Sequence, residues 1–278
     1  MYEKAKGVSE DAKKAMSLYE AACQKKNYDG CAGMGFLFSK GLGVPVDHAK
    51  AEQLFKESCD KGNARGCSGI GHQLRLAKDD SGAIPWFDRS CQLGYARACF
   101  YAGALLMKKG DAKRALESHA RACQGDDPRG CLAEASLQAS GAAGSSDTAG
   151  ALANRDKGLK ELDKRCAEKE ADACEALGDY YMGVYDKSAK KAEKAIGYYG
   201  TACGAGVYGV CMDVGKIYEK GEPPYIKADK GTAMKMYEVA CLMAGDAEGC
   251  KKTGKKPLVA GGTFSSATPV NPAGKKKK

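Results

Sequence analysis

Fourteen cysteines fall into seven pairs at a nearly constant interval, and that arrangement restricts the fold more than any other feature. The pairs are Cys23/Cys31, Cys59/Cys67, Cys91/Cys99, Cys123/Cys131, Cys166/Cys174, Cys203/Cys211 and Cys241/Cys250. Six have seven residues between partners and the last has eight. First members follow one another at 36, 32, 32, 43, 37 and 38 residues. A fixed interval of this size marks one supersecondary unit repeated along the chain.

The unit can be read outward from the cysteines. Four residues before each first cysteine stand Tyr19, Phe55, Phe87, His119, Leu162, Tyr199 and Tyr237. Eight before it stand Ala15, Ala51, Ala83, Ala115, Gly158, Ala195 and Ala233. Steps of four share one helical face, so small, large and cysteine residues form a stripe. Twelve residues before it come Asp11, Asp47, Asp79, Asp111, Asn154, Lys191 and Asp229. Asp and Asn accept hydrogen bonds from the free N–H groups of a helix start, which predicts a helix of about twelve residues ending near each first cysteine. Four residues after each second cysteine come Gly35, Gly71, Gly103, Ala135, Gly178, Gly215 and Gly254. Glycine inside a helix costs about 1 kcal/mol against alanine, so its recurrence predicts a neighbour packed too close for a side chain. Helix–loop–helix units this short must stack on one another to bury their apolar faces.

Three chemistries compete for the cysteines. Structural zinc sites space ligands two to four residues apart, and the chain has no Cys-x-x-Cys and only His48, His72 and His119. Residues eight apart in one helix lie about 12 Å apart, whereas a disulfide needs Cα atoms within about 7 Å. The chain must therefore turn between partners. Asp29-Gly30, Gly62-Asn63, Gly94, Gly125 to Pro128 and Gly204 to Gly206 permit it. Disulfides account for strict pairing with none left over; buried reduced cysteine, a small apolar residue, is the competing reading. Seven bridges imply an oxidising compartment.

The net charge of +9 suggests nucleic acid until it is located. Residues 251–278 hold eight lysines and no acid, while residues 1–250 carry 36 basic and 35 acidic side chains. A nucleic-acid surface needs charge clustered on the folded body, so no nucleic-acid partner is expected. No apolar run is long enough to span a membrane. The expected division is a repeat array over 1–250 and a flexible tail over 251–278, rich in Lys, Gly and Pro, that could rest on an anionic membrane surface.

The segment from Gly35 through Lys40-Gly41-Leu42-Gly43-Val44-Pro45 and Phe55 to Gly62 resembles the Sel-like repeat, a branch of the tetratricopeptide-type solenoids. The likeness extends over about 1–250, is strong in 178–206 and 215–245, and is weakest near 131–166, where Gln138 to Gly150 reads as a loop of Gly, Ala and Ser. It implies an all-α fold, an α-solenoid with a right-handed superhelix of six to seven repeats. The paired cysteines resemble a cysteine-rich subgroup in which they join one repeat to the next. One branch of that subgroup is mitochondrial and assembles cytochrome c oxidase; the other is bacterial, exported, and directed at cell-wall fragments or host proteins. The shared features are structural, so neither role is carried by particular residues.

Catalytic signatures are missing from the sequence: no P-loop, Gly-x-Ser-x-Gly, His-Glu-x-x-His or dinucleotide fingerprint occurs. The three histidines read as surface or core residues. Of Tyr180, Tyr181, Tyr185, Tyr198, Tyr199 and Tyr218, most read as core and some as the lining of a peptide groove. The expectation is a scaffold without enzymatic activity or cofactor, binding protein subunits of a respiratory complex in the mitochondrial intermembrane space. The alternative is an exported bacterial binding protein, periplasmic or secreted. Tyr2 to Asp11 aligns with Phe38 to Asp47, which places a helix end, a loop and a helix start at the N-terminus. A natural start without a leader is the expectation, with a missing leader as the alternative.

Overall fold

A computed structural model describes residues 2–144, 146–185, 191–221 and 226–257. Its regular elements are helices: α1 (Tyr2–Gln24), α2 (Tyr28–Lys40), α3 (His48–Asp60), α4 (Ala64–Leu76), α5 (Asp80–Gln92), α6 (Ala96–Lys109), α7 (Ala112–Gln124), α8 (Pro128–Ser140), α9 (Thr148–Ala167), α10 (Ala171–Tyr181), α11 (Ala192–Gly204), α12 (Gly209–Lys220), α13 (Lys230–Ala244) and α14 (Ala247–Thr253). The chain divides into two compact units, residues 1–130 and 131–278. The expected limit of the array at residue 250 falls inside α14, and the part of the expected tail beyond residue 257 lies outside the described residues.

The expected caps form where the repeat is regular. Asp47, Asp79, Asp111 and Asp229 are N-caps of α3, α5, α7 and α13, each accepting from the backbone N–H three residues on. Lys191 holds the same place before α11 without a side-chain bond. Two expected caps are corrected. Residue 11 lies inside α1, because no break interrupts the helix from Tyr2 to Gln24, so the expected loop and second helix start are absent there. Asn154 lies inside α9, which begins two turns earlier at the Asp147 cap and runs for 20 residues. That extension is why this repeat fits the pattern worst. The expected loop from Gln138 to Gly150 shrinks accordingly to residues 141–147.

The recurrent glycines explain how the helices of a repeat meet. In the first unit a Cβ placed on Gly35 would lie 2.8 Å from Phe55, one on Gly71 2.9 Å from Phe87, and one on Gly103 2.6 Å from His119. In the second unit the corresponding distances are 2.3 Å from Gly178 to Tyr199 and 2.5 Å from Gly215 to Tyr237. The ring before the first cysteine in these five repeats therefore lies against the bare backbone of the preceding helix. Phe55 is also closed from its other side, by Gly69 on α4, where a Cβ would approach to 2.3 Å. Phe55 thus wedges between its own repeat and the next. Phe87 and Tyr237 are fully buried. Gly254 departs from the pattern: it ends α14 in the left-handed conformation, with open space around it.

This packing makes opposite predictions for two glycines only nineteen residues apart. Gly178→Ala gains helix propensity but forces a methyl group into the Tyr199 ring, and should lower stability by about 1–2 kcal/mol. Gly197, in α11, has nothing within 4 Å of its missing Cβ. Gly197→Ala should raise stability by up to about 1 kcal/mol. Denaturant melts of the oxidised protein check both signs.

Candidate binding surface

The cysteines predicted from sequence sit at the corners between consecutive helices. Cys23–Cys31 joins α1 to α2, Cys59–Cys67 α3 to α4, Cys91–Cys99 α5 to α6, Cys166–Cys174 α9 to α10, Cys203–Cys211 α11 to α12 and Cys241–Cys250 α13 to α14. Cys123 and Cys131 are likewise disulfide-bonded, and no cysteine is free.

One backbone device forms each corner, and in four of the seven it falls on residues that the sequence marks as turns. The residue five places before every second cysteine has positive φ: Lys26, Gly62, Gly94, Asp126, Lys169, Gly206 and Gly245. In all but the last corner the next residue donates its N–H to the carbonyl five back, as Asn27 does to Ala22 and Glu170 to Arg165. This is the glycine-type helix stop, and it directs the chain back on itself within three residues. Lys26 and Lys169 hide it, because they adopt the left-handed conformation at a cost of about 1–2 kcal/mol. Asp29-Gly30, expected to form the first turn, lies instead within α2. Gly30 serves the close approach, for a Cβ there would meet Ala22 at 2.7 Å and the Cys23 nitrogen at 2.9 Å. Where Gly or Ala precedes the second cysteine, the paired Cα atoms are 4.6–4.8 Å apart. Val210 fills that place in one corner, and there Cys203 and Cys211 stand at 5.4 Å.

In the first unit a run of rings and cations lies across successive first helices. His72 packs edge-on against Phe87 and Tyr101, with centroids at 5.0 and 4.7 Å. Arg75 lies over Tyr101 at 5.4 Å, and Arg129 over Phe100 at 4.8 Å. Burial first, then the positive charges of Arg75, Lys40, Arg97 and Arg129, push His72 down to about 3. Asp127 holds Arg129 through two side-chain hydrogen bonds of 2.9 and 2.6 Å. Burial works to raise Asp127, but the bonds and charge of Arg129 outweigh it and hold the carboxyl below its ordinary value.

His119 occupies a ring position and is buried. Its Nδ1 has no hydrogen-bond partner. Burial pushes it down to about 4, against the opposing pull of Asp127. His48 is the exposed first residue of α3. Among the described residues no group of three or more His, Cys, Asp or Glu is placed to hold a metal.

The tyrosines of the second unit divide between core and surface. Tyr180 and Tyr199 are buried; Tyr181, Tyr185, Tyr198 and Tyr218 are half-buried. Tyr181 and Tyr198 stack with centroids 5.6 Å apart and planes 4° from parallel, and Lys194 lies over Tyr181 at 5.2 Å. The hydroxyls of Tyr198 and of two further tyrosines find carboxylates. Tyr198 donates to Asp163 at 2.9 Å, Tyr199 to Asp179 at 2.7 Å, and Tyr237 to Glu219 at 2.8 Å, where Lys252 also donates. Burial and these acids raise all three phenols, Tyr198 to about 12. Such hydroxyls stay protonated and hold structure.

Fold and corners together define an all-α helical-repeat solenoid whose neighbouring repeats are joined by disulfides. The chain belongs to the Sel1 repeat family: the Sel1 repeat model matches residues 1–27, 29–63, 171–207 and 210–244. Segment 29–63 contains α2 and α3, 171–207 contains α10 and α11, and 210–244 contains α12 and α13. A repeat is thus a first helix, a loop and a second helix, and the cysteines bridge repeat to repeat. Sel1 repeat proteins generally mediate protein–protein interactions and are generally non-catalytic.

Solved structures show similarity of fold. One is a protective antigen of uropathogenic Escherichia coli strains, 18% identical, with a TM-score of 0.42 over 86% of this chain; this chain spans only 51% of that protein. A Sel1 repeat protein from Oxalobacter formigenes is 21% identical, with a TM-score of 0.44 over 86% of this chain and 83% of its own. The immunity protein Pa5087 of Pseudomonas aeruginosa is 16% identical, with a TM-score of 0.48 over 77% and 80%. No curated protein matches the chain.

His119 gives the fold a pH dependence of known sign. Its folded pKa of about 4 lies below the ordinary 6.5, so between those values the unfolded chain binds the proton that the folded chain refuses. Stability should fall by about 3 kcal/mol as pH drops through this window, and no further from this group below it. His119→Phe, which places a ring where other repeats have one, should remove the share of the slope that His119 contributes and leave the share of His72, whose pKa burial and neighbouring cations hold lower still. It should also add about 1 kcal/mol at pH 7 by deleting an unsatisfied buried nitrogen. Chemical denaturation at pH 4, 5, 6 and 7 reads both effects.

Proposed function

We propose that the chain is a non-catalytic scaffold that binds proteins in an oxidising compartment, as an exported protein of the periplasm or cell exterior. The disulfide at the helix corners carries this reading. A bridge closing a loop of about nine residues contributes roughly 2–3 kcal/mol in the chain-entropy model, and the cytosol would keep such thiols reduced. The side chains with displaced ionisation support the non-catalytic part. His72 and His119 are held neutral by burial, and the phenols of Tyr199 and Tyr237 are tied to carboxylates that stabilise their protonated form. The described helices include none long and apolar enough to cross a membrane.

The expected role in assembling a respiratory complex meets the same oxidising requirement. It rests on the resemblance in repeat type and paired cysteines, which the exported reading shares, and on the start without a leader, to which neither the helices nor the corners add anything. The family supplies protein binding without naming a partner, so cell-wall fragments and host proteins are the ligand classes of the exported reading.

Fractionation of the native cells, with chemical cross-linking before lysis, tests the proposal. The chain should be found oxidised in the periplasmic or extracellular fraction and cross-linked to other proteins. Reduced protein in the cytosol would contradict the compartment. Co-migration with a respiratory complex of the inner mitochondrial membrane would replace the exported reading with the assembly role.

A further inference from the structure

The first unit gathers positive charge on one face. Lys40 lies on the last turn of α2, His72 and Arg75 on α4, Arg97 and Tyr101 on α6, and Arg129 on the first turn of α8. All six are half-buried. The rings of His72 and Tyr101 connect α4 to α6, and the guanidinium groups of Arg75 and Arg129 lie 5.4 and 5.9 Å from the centre of the Tyr101 ring. Four cations act on the one imidazole. Asp127 is the carboxylate that holds Arg129. Arg75 differs, for its Nε is buried with no hydrogen-bond partner. Lys40 is partly withdrawn from water, and that burial lowers its pKa. A buried cationic donor without an acceptor costs free energy that an arriving anion recovers, and Arg–carboxylate bonds are among the stronger hydrogen bonds in proteins. The charge of the unit agrees: residues 1–130 carry 21 Lys and Arg against 16 Asp and Glu, whereas residues 131–250 carry 15 against 19.

We propose that this face docks an extended, acidic segment of a partner protein, with carboxylates on Lys40 and Arg75 and the chain laid across the Tyr101 and His72 rings. This deepens the scaffold reading and rests on it. The spread of the cations favours a polypeptide over a small anion. They stand on successive first helices, so an extended chain, which advances about 3.3 Å per residue, can meet them one after another. The rings supply apolar contact at low entropy cost between the charges.

The probe is a fluorescein-labelled twelve-residue peptide with Glu at every third position and Ala or Ser between, followed by anisotropy against the full oxidised chain in 50 mM salt. A second peptide has Lys in place of Glu. The acidic peptide should bind and the basic one should not. Lys40→Gln with Arg75→Gln should weaken binding at least tenfold. Lys61→Gln with Lys113→Gln, the same charge change at two exposed sites of this unit, should weaken it less than twofold. Helical circular dichroism confirms that both variants fold. Equal loss in the two variants would reduce the effect to net charge and overturn the proposal, as would no binding at all. Sedimentation that shows the chain associating with itself through this face, and losing that association in Lys40→Gln/Arg75→Gln, would also overturn it, because the occupant would be a second copy. Protein cross-links that persist in the Lys40→Gln/Arg75→Gln variant would leave the scaffold reading standing and remove this face from it.

Discussion

Close approach of helix backbones at each corner is the constraint on which the remaining structure depends. Two helices whose cysteine Cα atoms lie 4.6–4.8 Å apart in five of the six measured corners leave no room for ordinary side chains between them. Small residues must therefore flank the bridge, as Ala22 and Gly30 or Ser58 and Gly66 do. The chain must also reverse at once, which demands a left-handed residue just ahead of the next helix. With the corner fixed, the ring four residues before it is aimed at the preceding first helix, and a glycine there receives it. Covalent bond, turn and ring form one unit of construction. Repetition of that unit replaces the large core that a compact domain of this length would need.

Much of this was legible in the sequence because the spacing of cysteines, rings and glycines repeats with the geometry that requires it. The helical periodicity placed Phe55, Phe87, Tyr199 and Tyr237 on the stripe with the cysteines, and the glycines at 35, 71, 178 and 215 marked the facing surface. Legibility failed where tertiary structure overrides local signals. Lys26 and Lys169 carry no turn signature, yet they adopt positive φ because the corner holds them there. Asn154 matches the cap position by register, but α9 starts at Asp147, a better cap two turns earlier. The candidate surface was the least visible part. Lys40, Arg75, Arg97 and Arg129 belong to four different helices, and only the stacking of repeats brings them to one histidine.

The same construction separates stability from recognition. Corners and wedged rings occupy the buried positions, which leaves the surface of the first helices to vary from repeat to repeat. In the first unit that surface gathers rings with arginines. A scaffold of this kind changes its partners by exchanging surface residues at fixed intervals. Its dependence on oxidation follows from the corners alone.

Peptide mapping of the native, unreduced protein by mass spectrometry tests the central claim most directly. Alkylation before digestion should label no cysteine, and every bridge should link residues eight apart, nine in the case of Cys241 and Cys250. Alkylated cysteines, or bridges between cysteines distant along the chain, would contradict the account of the corners and everything built on them.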